Sequence, residues 1–117
     1  MRHRNSGTIL DRKKWPRELL IRNLVSSVIV YEKIETSPAK AKATRSLLER
    51  LITRSKINNV VSQRYIKKFL PVKEARAKLF EVLAVKYQTV PGGYTRVVKM
   101  AHPRKGDGGE LVRLELK

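Results

Sequence analysis

An excess of positive charge is the feature that most constrains this chain. Its 117 residues include 27 lysines and arginines against 10 aspartates and glutamates, which gives a formal net charge of +17. Mutual repulsion of that size works against a compact state. A nucleic acid would relieve it, because lysine and arginine neutralise phosphates and release their counterions. The charge therefore predicts a polyanionic partner before any motif is considered.

The residue types that carry catalysis are few and scattered. The chain has no cysteine, so disulfides, thiolate catalysis and cysteine-based zinc sites are excluded. His3 and His102 lie far apart, and neither has a partner at metal-ligand spacing. No Gly-x-Ser-x-Gly motif is present. We therefore predict no enzyme, no catalytic or metal-binding residue, no cofactor and no small-molecule substrate.

Hydropathy and the first residues predict the compartment. No apolar run approaches the roughly 18–20 residues that span a bilayer, so no membrane partner is expected. Residues 1–7 are basic without an apolar segment behind them, which is not the pattern of a secretory signal. A cytoplasmic location is the expectation.

The periodicity predicts one domain at 13–117, preceded by an extended basic arm at 1–12. The fold class is α+β: a compact two-layer domain in the order helix, short strand, three helices, two-strand hairpin. Asp11 can cap the first helix, which has Pro16 in its first turn. Propensity alone would make its end a strand, because residues 28–30 are all β-branched. The short strand is expected at 33–36.

The three following helices are predicted from start signals and apolar stripes. Ser37-Pro38 opens the second helix, and Asn58 or Asn59 caps the third. Glu49 is expected on the solvated side of the second helix. The fourth helix, near 73–87, is expected to have an exposed Glu74–Lys78 pair. The predicted stripes are Leu47, Leu48, Leu51 and Ile52, then Val61, Tyr65 and Phe69, then Ala75, Leu79, Val82 and Leu83. Trp15 and Tyr31 also fit helical core positions.

The last third of the chain changes period. Residues 94–101 and 110–117 are predicted strands, joined by a glycine-containing loop. The second strand alternates cleanly, with Val112, Leu114 and Leu116 on one face. The glycines do not form a phosphate-binding loop, because a strand follows them rather than a helix N-terminus.

Two dense basic stretches are the clearest functional signal. Residues 1–17 and 39–56 each hold six lysines and arginines against one acidic residue. Lys13 and Lys14 are RNA-binding candidates on charge alone. Arg104 and Lys105, at the base of the glycine loop, could lie against an RNA backbone. Tyr94 either stacks on a base or fills the core, and the core is favoured.

Two other functions compete with RNA binding. A nucleoid-type protein that binds DNA without specificity would also be small and basic. A small RNA-processing enzyme would need a convergent cluster of acids or histidines, and the sequence offers none.

Four blocks of the sequence carry a resemblance to a known family. They are Met1-Arg2-His3-Arg4 with Ser6-Gly7, Leu10 and Arg12; Ala39-Lys40-Ala41-Lys42 with Arg45 and Leu51-Ile52-Thr53; Ala77-Lys78-Leu79-Phe80; and Gly92-Gly93-Tyr94-Thr95-Arg96-Val97. In order and separation they resemble bacterial large-subunit ribosomal protein seventeen. The chain departs from that family in two places. Pro38 lies one residue earlier than the family's proline, and Trp15-Pro16 replaces a more polar stretch, so no RNA contact can be transferred to Trp15-Pro16.

The resemblance implies a structural protein of the large ribosomal subunit. It implies ribosomal RNA as the partner, neighbouring ribosomal proteins, and a place on the side of the subunit near the peptide exit. It also implies that the first helix continues to about Tyr31. The RNA-binding residues that it implies are Arg2, His3, Arg4, Arg12, Lys40, Lys42, Arg45 and Arg96.

Overall fold

A computed structural model describes Leu10 and residues 13–117, and its element order confirms the predicted α+β fold. The fourth helix, α4, is continuous but changes character along its length. It consists of an α-helical segment Lys73–Lys78, a π-helical segment Leu79–Leu83 and an α-helical turn Ala84–Lys86. The other elements are α1 (Lys14–Tyr31), β1 (Lys33–Thr36), α2 (Pro38–Ser55), α3 (Val60–Phe69), β2 (Thr95–Lys99) and β3 (Val112–Leu116).

The short strand β1 joins the predicted hairpin to make a three-stranded antiparallel sheet in the order β1-β3-β2. Leu114 at the middle of β3 lies opposite Ile34 of β1 and Val97 of β2. β3 has the cleanest alternation, with Val112 and Leu114 buried. The central position suits it, because its apolar face can then pack against the helices along its whole length.

The helices α1, α2 and α4 supply most of the core. Their fully buried side chains pack with Ile66 of α3 and Leu114 of β3 in one cluster. Val28 and Ile29 are both completely buried in α1, which ends at Tyr31 as the family resemblance implied. Burial in a helical layer therefore overrides the strand propensity of residues 28–30.

Of the three predicted helix N-caps, two are confirmed and one is wrong. Ser37 accepts a hydrogen bond from the backbone N–H of Lys40, and Asn59 accepts one from that of Ser62. Both confirm the predicted starts. The N-cap position of α1 is Lys13, without a side-chain cap, so the prediction of Asp11 there is wrong. Asp11 itself lies outside the described residues, and Pro16 is in the first turn as expected.

The predicted apolar stripe of α3 is out of phase. Val61 is 66% exposed, whereas Ile66 is completely buried, and Tyr65 and Phe69 are half-buried beside the core. α3 is short and amphipathic, so a small rotation about its axis decides which neighbours of Tyr65 face α2.

The stripe of α4 fails for a different reason. Ala75, Leu79 and Leu83 are buried as predicted, but Val82 is 47% exposed. The backbone N–H of Ala84 donates to the carbonyl of Leu79, an i to i−5 bond that widens the helix there. The wider turn brings Leu83 and Tyr87 inward and rotates Val82 out.

Three more side chains lie where the sequence did not place them. Trp15 is 59% exposed and Tyr31 is 72% exposed, so neither is a core residue. Lys78 does not pair with Glu74. Its Nζ donates to the carbonyl of Val30 at 3.0 Å and lies 3.4 Å from a carboxylate oxygen of Glu32, which ties α4 to the end of α1.

Candidate nucleic-acid interface

A carboxylate of α2 anchors the first residue of β2 and the residue before it. Glu49 of α2 accepts hydrogen bonds from the backbone N–H groups of Tyr94 and Thr95, at 3.4 and 3.2 Å, and from the Thr95 hydroxyl at 2.7 Å. Gly93 adopts a φ of 66°, which a residue with a side chain rarely does. Glu49 is therefore part of a structural junction between α2 and β2, and the prediction that it faces solvent is wrong.

Tyr94 belongs to the core side of this junction. It is 1% exposed, its hydroxyl lies 3.1 Å from that of Thr53, and its ring packs 5.2 Å from the ring of Tyr87. Lys56 lies over the same ring and donates to the carbonyl of Val90. Tyr94 presents no open face to a base, so its place among the RNA-binding candidates is wrong and the core alternative is correct.

Arg45 lies at the outer side of the junction, against Thr95, whereas Arg96, the next residue of β2, points to the opposite face of the sheet. The Nε of Arg45 donates to the Thr95 hydroxyl at 3.2 Å, and the Arg45 side chain is 47% exposed. Only one of the five N–H donors of a guanidinium is used in that bond, and the others can reach a phosphate. Arg96 is 61% exposed but donates to Glu115, and this bond lowers the pKa of the Glu115 carboxyl.

The loop between β2 and β3 forms a separate basic feature. Arg104 donates to Asp107 at 2.9 Å, and the backbone N–H of Gly109 donates to the same carboxylate. The Arg104 bond, followed by the Gly109 bond, lowers the pKa of Asp107 from 3.8 to about 2. Arg104 is thus engaged in holding the loop, while Lys105 is exposed.

The structure brings only some of the predicted RNA contacts together. Arg45 lies at the junction, with Lys42 exposed on the same helix, whereas Arg96 lies on the other face of the sheet beside Glu115. Arg104 and Lys105 follow the far end of β2. The length of this five-residue strand, roughly 16 Å, separates that end from the junction. Lys13 and Lys14 are exposed at the start of α1, and Lys40 is half-buried in the first turn of α2. Arg2, His3, Arg4 and Arg12 lie outside the described residues.

The sequence did not predict that a second group of cations would converge, although Arg17 and Arg50 belong to the two dense basic stretches. Arg17 and Arg22 of α1, Arg50 of α2 and Lys68 of α3 line one cleft of about 570 Å³. They come from three separate helices, so no motif could have joined them. The nearest local signal was the spacing of Trp15 and Arg22, seven positions apart on one helix face.

Within the described residues, no group of three or more histidines, aspartates and glutamates could hold a metal ion. In the same part of the chain, no helix is long and apolar enough to cross a membrane.

Fold and surface together define a small, strongly basic α+β protein that displays cations on its helices, on β2 and on the loop that follows β2. The chain belongs to the ribosomal protein L17 family, whose sequence model matches residues 20–117. It is 44% identical to the large ribosomal subunit protein bL17 of Gemmatimonas aurantiaca, over 99% of this chain and 98% of that relative. The bL17 proteins of Dehalococcoides mccartyi and Hydrogenobaculum are 43% and 44% identical, each again over 98% of its length.

Membership of this family confirms several predictions at once. The protein is a structural component of the large ribosomal subunit in the cytoplasm, and it is not an enzyme. The RNA-processing alternative is therefore wrong. As a protein of the large subunit, it has ribosomal RNA and ribosomal proteins as its partners.

Proposed function

We propose that the chain binds folded large-subunit ribosomal RNA and helps to hold its shape, beside neighbouring large-subunit proteins. In this proposal residues 1–12 act as a basic arm and residues 13–117 as the domain that carries it. Phosphate contacts set the position of the protein, and its fit to a folded RNA surface sets specificity. The proposed contacts are Arg2, His3, Arg4, Arg12, Lys13, Lys14, Lys40, Lys42, Arg45, Arg96, Arg104 and Lys105.

The junction between α2 and β2 is the observation that most supports the proposal. The Thr95 hydroxyl accepts a hydrogen bond from the Nε of Arg45 and donates one to the carboxylate of Glu49. The guanidinium is therefore oriented before a ligand arrives, while its remaining donors stay at the surface. Pre-orientation reduces the side-chain entropy lost when a phosphate binds.

A binding titration at several salt concentrations tests the arm and the junction separately. The full-length chain and a variant lacking residues 2–9 are titrated with deproteinised large-subunit ribosomal RNA. The deletion removes Arg2 and Arg4, so we expect the slope of log affinity against log salt to fall by about 1.5, at roughly 0.7–0.9 for each phosphate that is no longer neutralised. Arg45→Ala should lower it by about 0.8, because it leaves one phosphate without its arginine.

Two controls make the result specific. Arg64→Ala removes an exposed arginine of α3 that is not among the proposed contacts, and it should leave the slope nearly unchanged. Duplex DNA as competitor tests the nucleoid alternative, because a nonspecific DNA-binding protein would be displaced as readily by DNA as by RNA. Unchanged slopes in both the deletion and Arg45→Ala would contradict the proposed surface.

A further inference from the structure

The cleft between α1, α2 and α3 lies apart from the α2–β2 junction and carries a strong charge imbalance. Arg17, Arg22, Arg50 and Lys68 line it, with Glu18 as the one carboxylate among the lining residues. Ala43, Leu47 and Arg50 of α2 face this cleft, whereas Arg45 and Glu49 of the same helix contact Thr95. The two basic surfaces therefore use different flanks of α2.

The cations of this cleft have donors to spare. Within the described part of the chain, Arg17, Arg50 and Lys68 form no ion pair with a carboxylate, although Arg50 donates weakly to the carbonyl of Ser46 at 3.5 Å. Arg22 lies 3.9 Å from Glu18, which is longer than a hydrogen bond. An anion entering the cleft would therefore find N–H donors that are not already saturated.

Aromatic rings hold Arg22 at the edge of the cleft. Its guanidinium carbon lies 5.6 Å from the centre of the Trp15 ring and 5.5 Å from that of the Phe69 ring. Such contacts fix the plane of a guanidinium and leave its N–H edge free to bind. Trp15 itself remains 59% exposed, so most of its indole surface is open beside the cations.

Exposed aromatic surface next to unpaired cations is the combination that binds unpaired nucleotides, since the base stacks while the phosphate meets the positive charge. We propose that this cleft is a second RNA-binding site, in which Arg17, Arg50 and Lys68 hold a phosphodiester and Trp15 stacks on an adjacent unpaired nucleobase. The proposal rests on the proposed RNA-binding function and adds a single-stranded segment of that RNA as the ligand.

Trp15 is the only tryptophan of the chain and lies beside Arg22 at the edge of the cleft, so its fluorescence should respond to a base that stacks there. The full-length protein is titrated with deproteinised large-subunit ribosomal RNA, with correction for RNA absorbance. Stacking should quench the emission as the RNA binds. Arg50→Ala should reduce the quenching and lower the salt slope by about 0.8, the value for one phosphate that is no longer neutralised. Trp15→Leu, followed by filter binding, should weaken binding by about tenfold.

Arg64→Ala is the matched control, because Arg64 is an exposed arginine of α3 outside the cleft. RNA should quench the Trp15 emission of this variant as strongly as that of the unaltered protein. Arg17→Ala is a second cleft variant, which keeps the test decisive if Arg50→Ala does not fold.

The outcomes separate this proposal from the general function. Tight RNA binding without quenching, or equal quenching in Arg50→Ala and Arg64→Ala, would overturn the cleft site and leave the proposed function standing. Absence of RNA binding by the unaltered protein would overturn both. Quenching by inorganic phosphate alone would indicate a small-anion site, and quenching by an acidic peptide a protein site; either would overturn the assignment to RNA.

Discussion

Several charged residues of this chain are already engaged by residues of the same chain. Arg96 donates to Glu115, Arg104 to Asp107, and Lys78 to the end of α1. A phosphate that binds such a side chain must compete with or share its existing partner. Cations that have no carboxylate partner among the described residues, such as Arg50, offer all their charge to a ligand. At the residue scale, the binding surface is therefore smaller than the charge count suggests.

Glu49 gives the sharpest prediction at this scale. Glu49→Ala leaves the N–H groups of Tyr94 and Thr95 without their acceptor in a partly buried position. Each unsatisfied donor of this kind costs about 1–3 kcal/mol, and two are affected, so we expect the free energy of unfolding to fall by at least about 2 kcal/mol. Urea denaturation monitored by circular dichroism measures it.

Glu81 of α4 provides the matched control for this change. It is exposed and forms no ion pair within the described residues, so Glu81→Ala should change stability by less than about 0.5 kcal/mol. If the two variants were equally stable, Glu49 would not organise the junction.

At the scale of the elements, the π-helical turn in α4 decides which side chains reach the core. The turn inserts an i to i−5 bond and moves the buried stripe by one residue. Leu83 and Tyr87 then face inward, and the Tyr87 hydroxyl donates to the carbonyl of Lys117 at 2.7 Å. The wider turn thus connects α4 to the end of the chain that follows the central strand.

A pair of neighbouring substitutions tests this phase. Leu83 is completely buried, so Leu83→Ala should lower the free energy of unfolding by about 2–5 kcal/mol, because it removes buried apolar atoms and leaves a cavity. Val82 is 47% exposed, and Val82→Ala should cost less than about 0.5 kcal/mol. Thermal or urea unfolding of both variants provides the comparison, and the reverse order would mean that α4 follows the regular 3.6-residue period.

At the scale of the whole molecule, the net charge of +17 acts on every element together. Like charges on one small domain repel, and dissolved salt screens them over a shorter distance as its concentration rises. The free protein is therefore expected to melt at a higher temperature in about 0.5 M sodium chloride, where the screening length is roughly 4 Å, than in about 0.01 M, where it is roughly 30 Å.

Differential scanning fluorimetry or calorimetry over a salt series checks this expectation. Salt should act in opposite directions on folding and on RNA binding, because screening relieves internal repulsion but weakens phosphate contacts. A melting temperature that fell with added salt would show that internal ion pairs outweigh the repulsion.

Much of the fold could be predicted from local pattern. The strand at 33–36, the caps at Ser37 and Asn59, and the alternation of β3 depend on residues close together in sequence, and local physics specifies them. The excess of positive charge was equally visible, and it indicated the class of partner without any structure.

Tertiary contacts decided the rest. Strand β1 pairs with β3 about 80 residues away, and the phases of α3 and α4 depend on which side of each helix meets α2. Which cations are paired, as Arg96 is, and which converge on a cleft, as Arg17 and Arg50 do, depends on distances between separate elements. Sequence determines each residue's charge and local preference; packing alone determines its neighbours, because those neighbours come from distant parts of the chain.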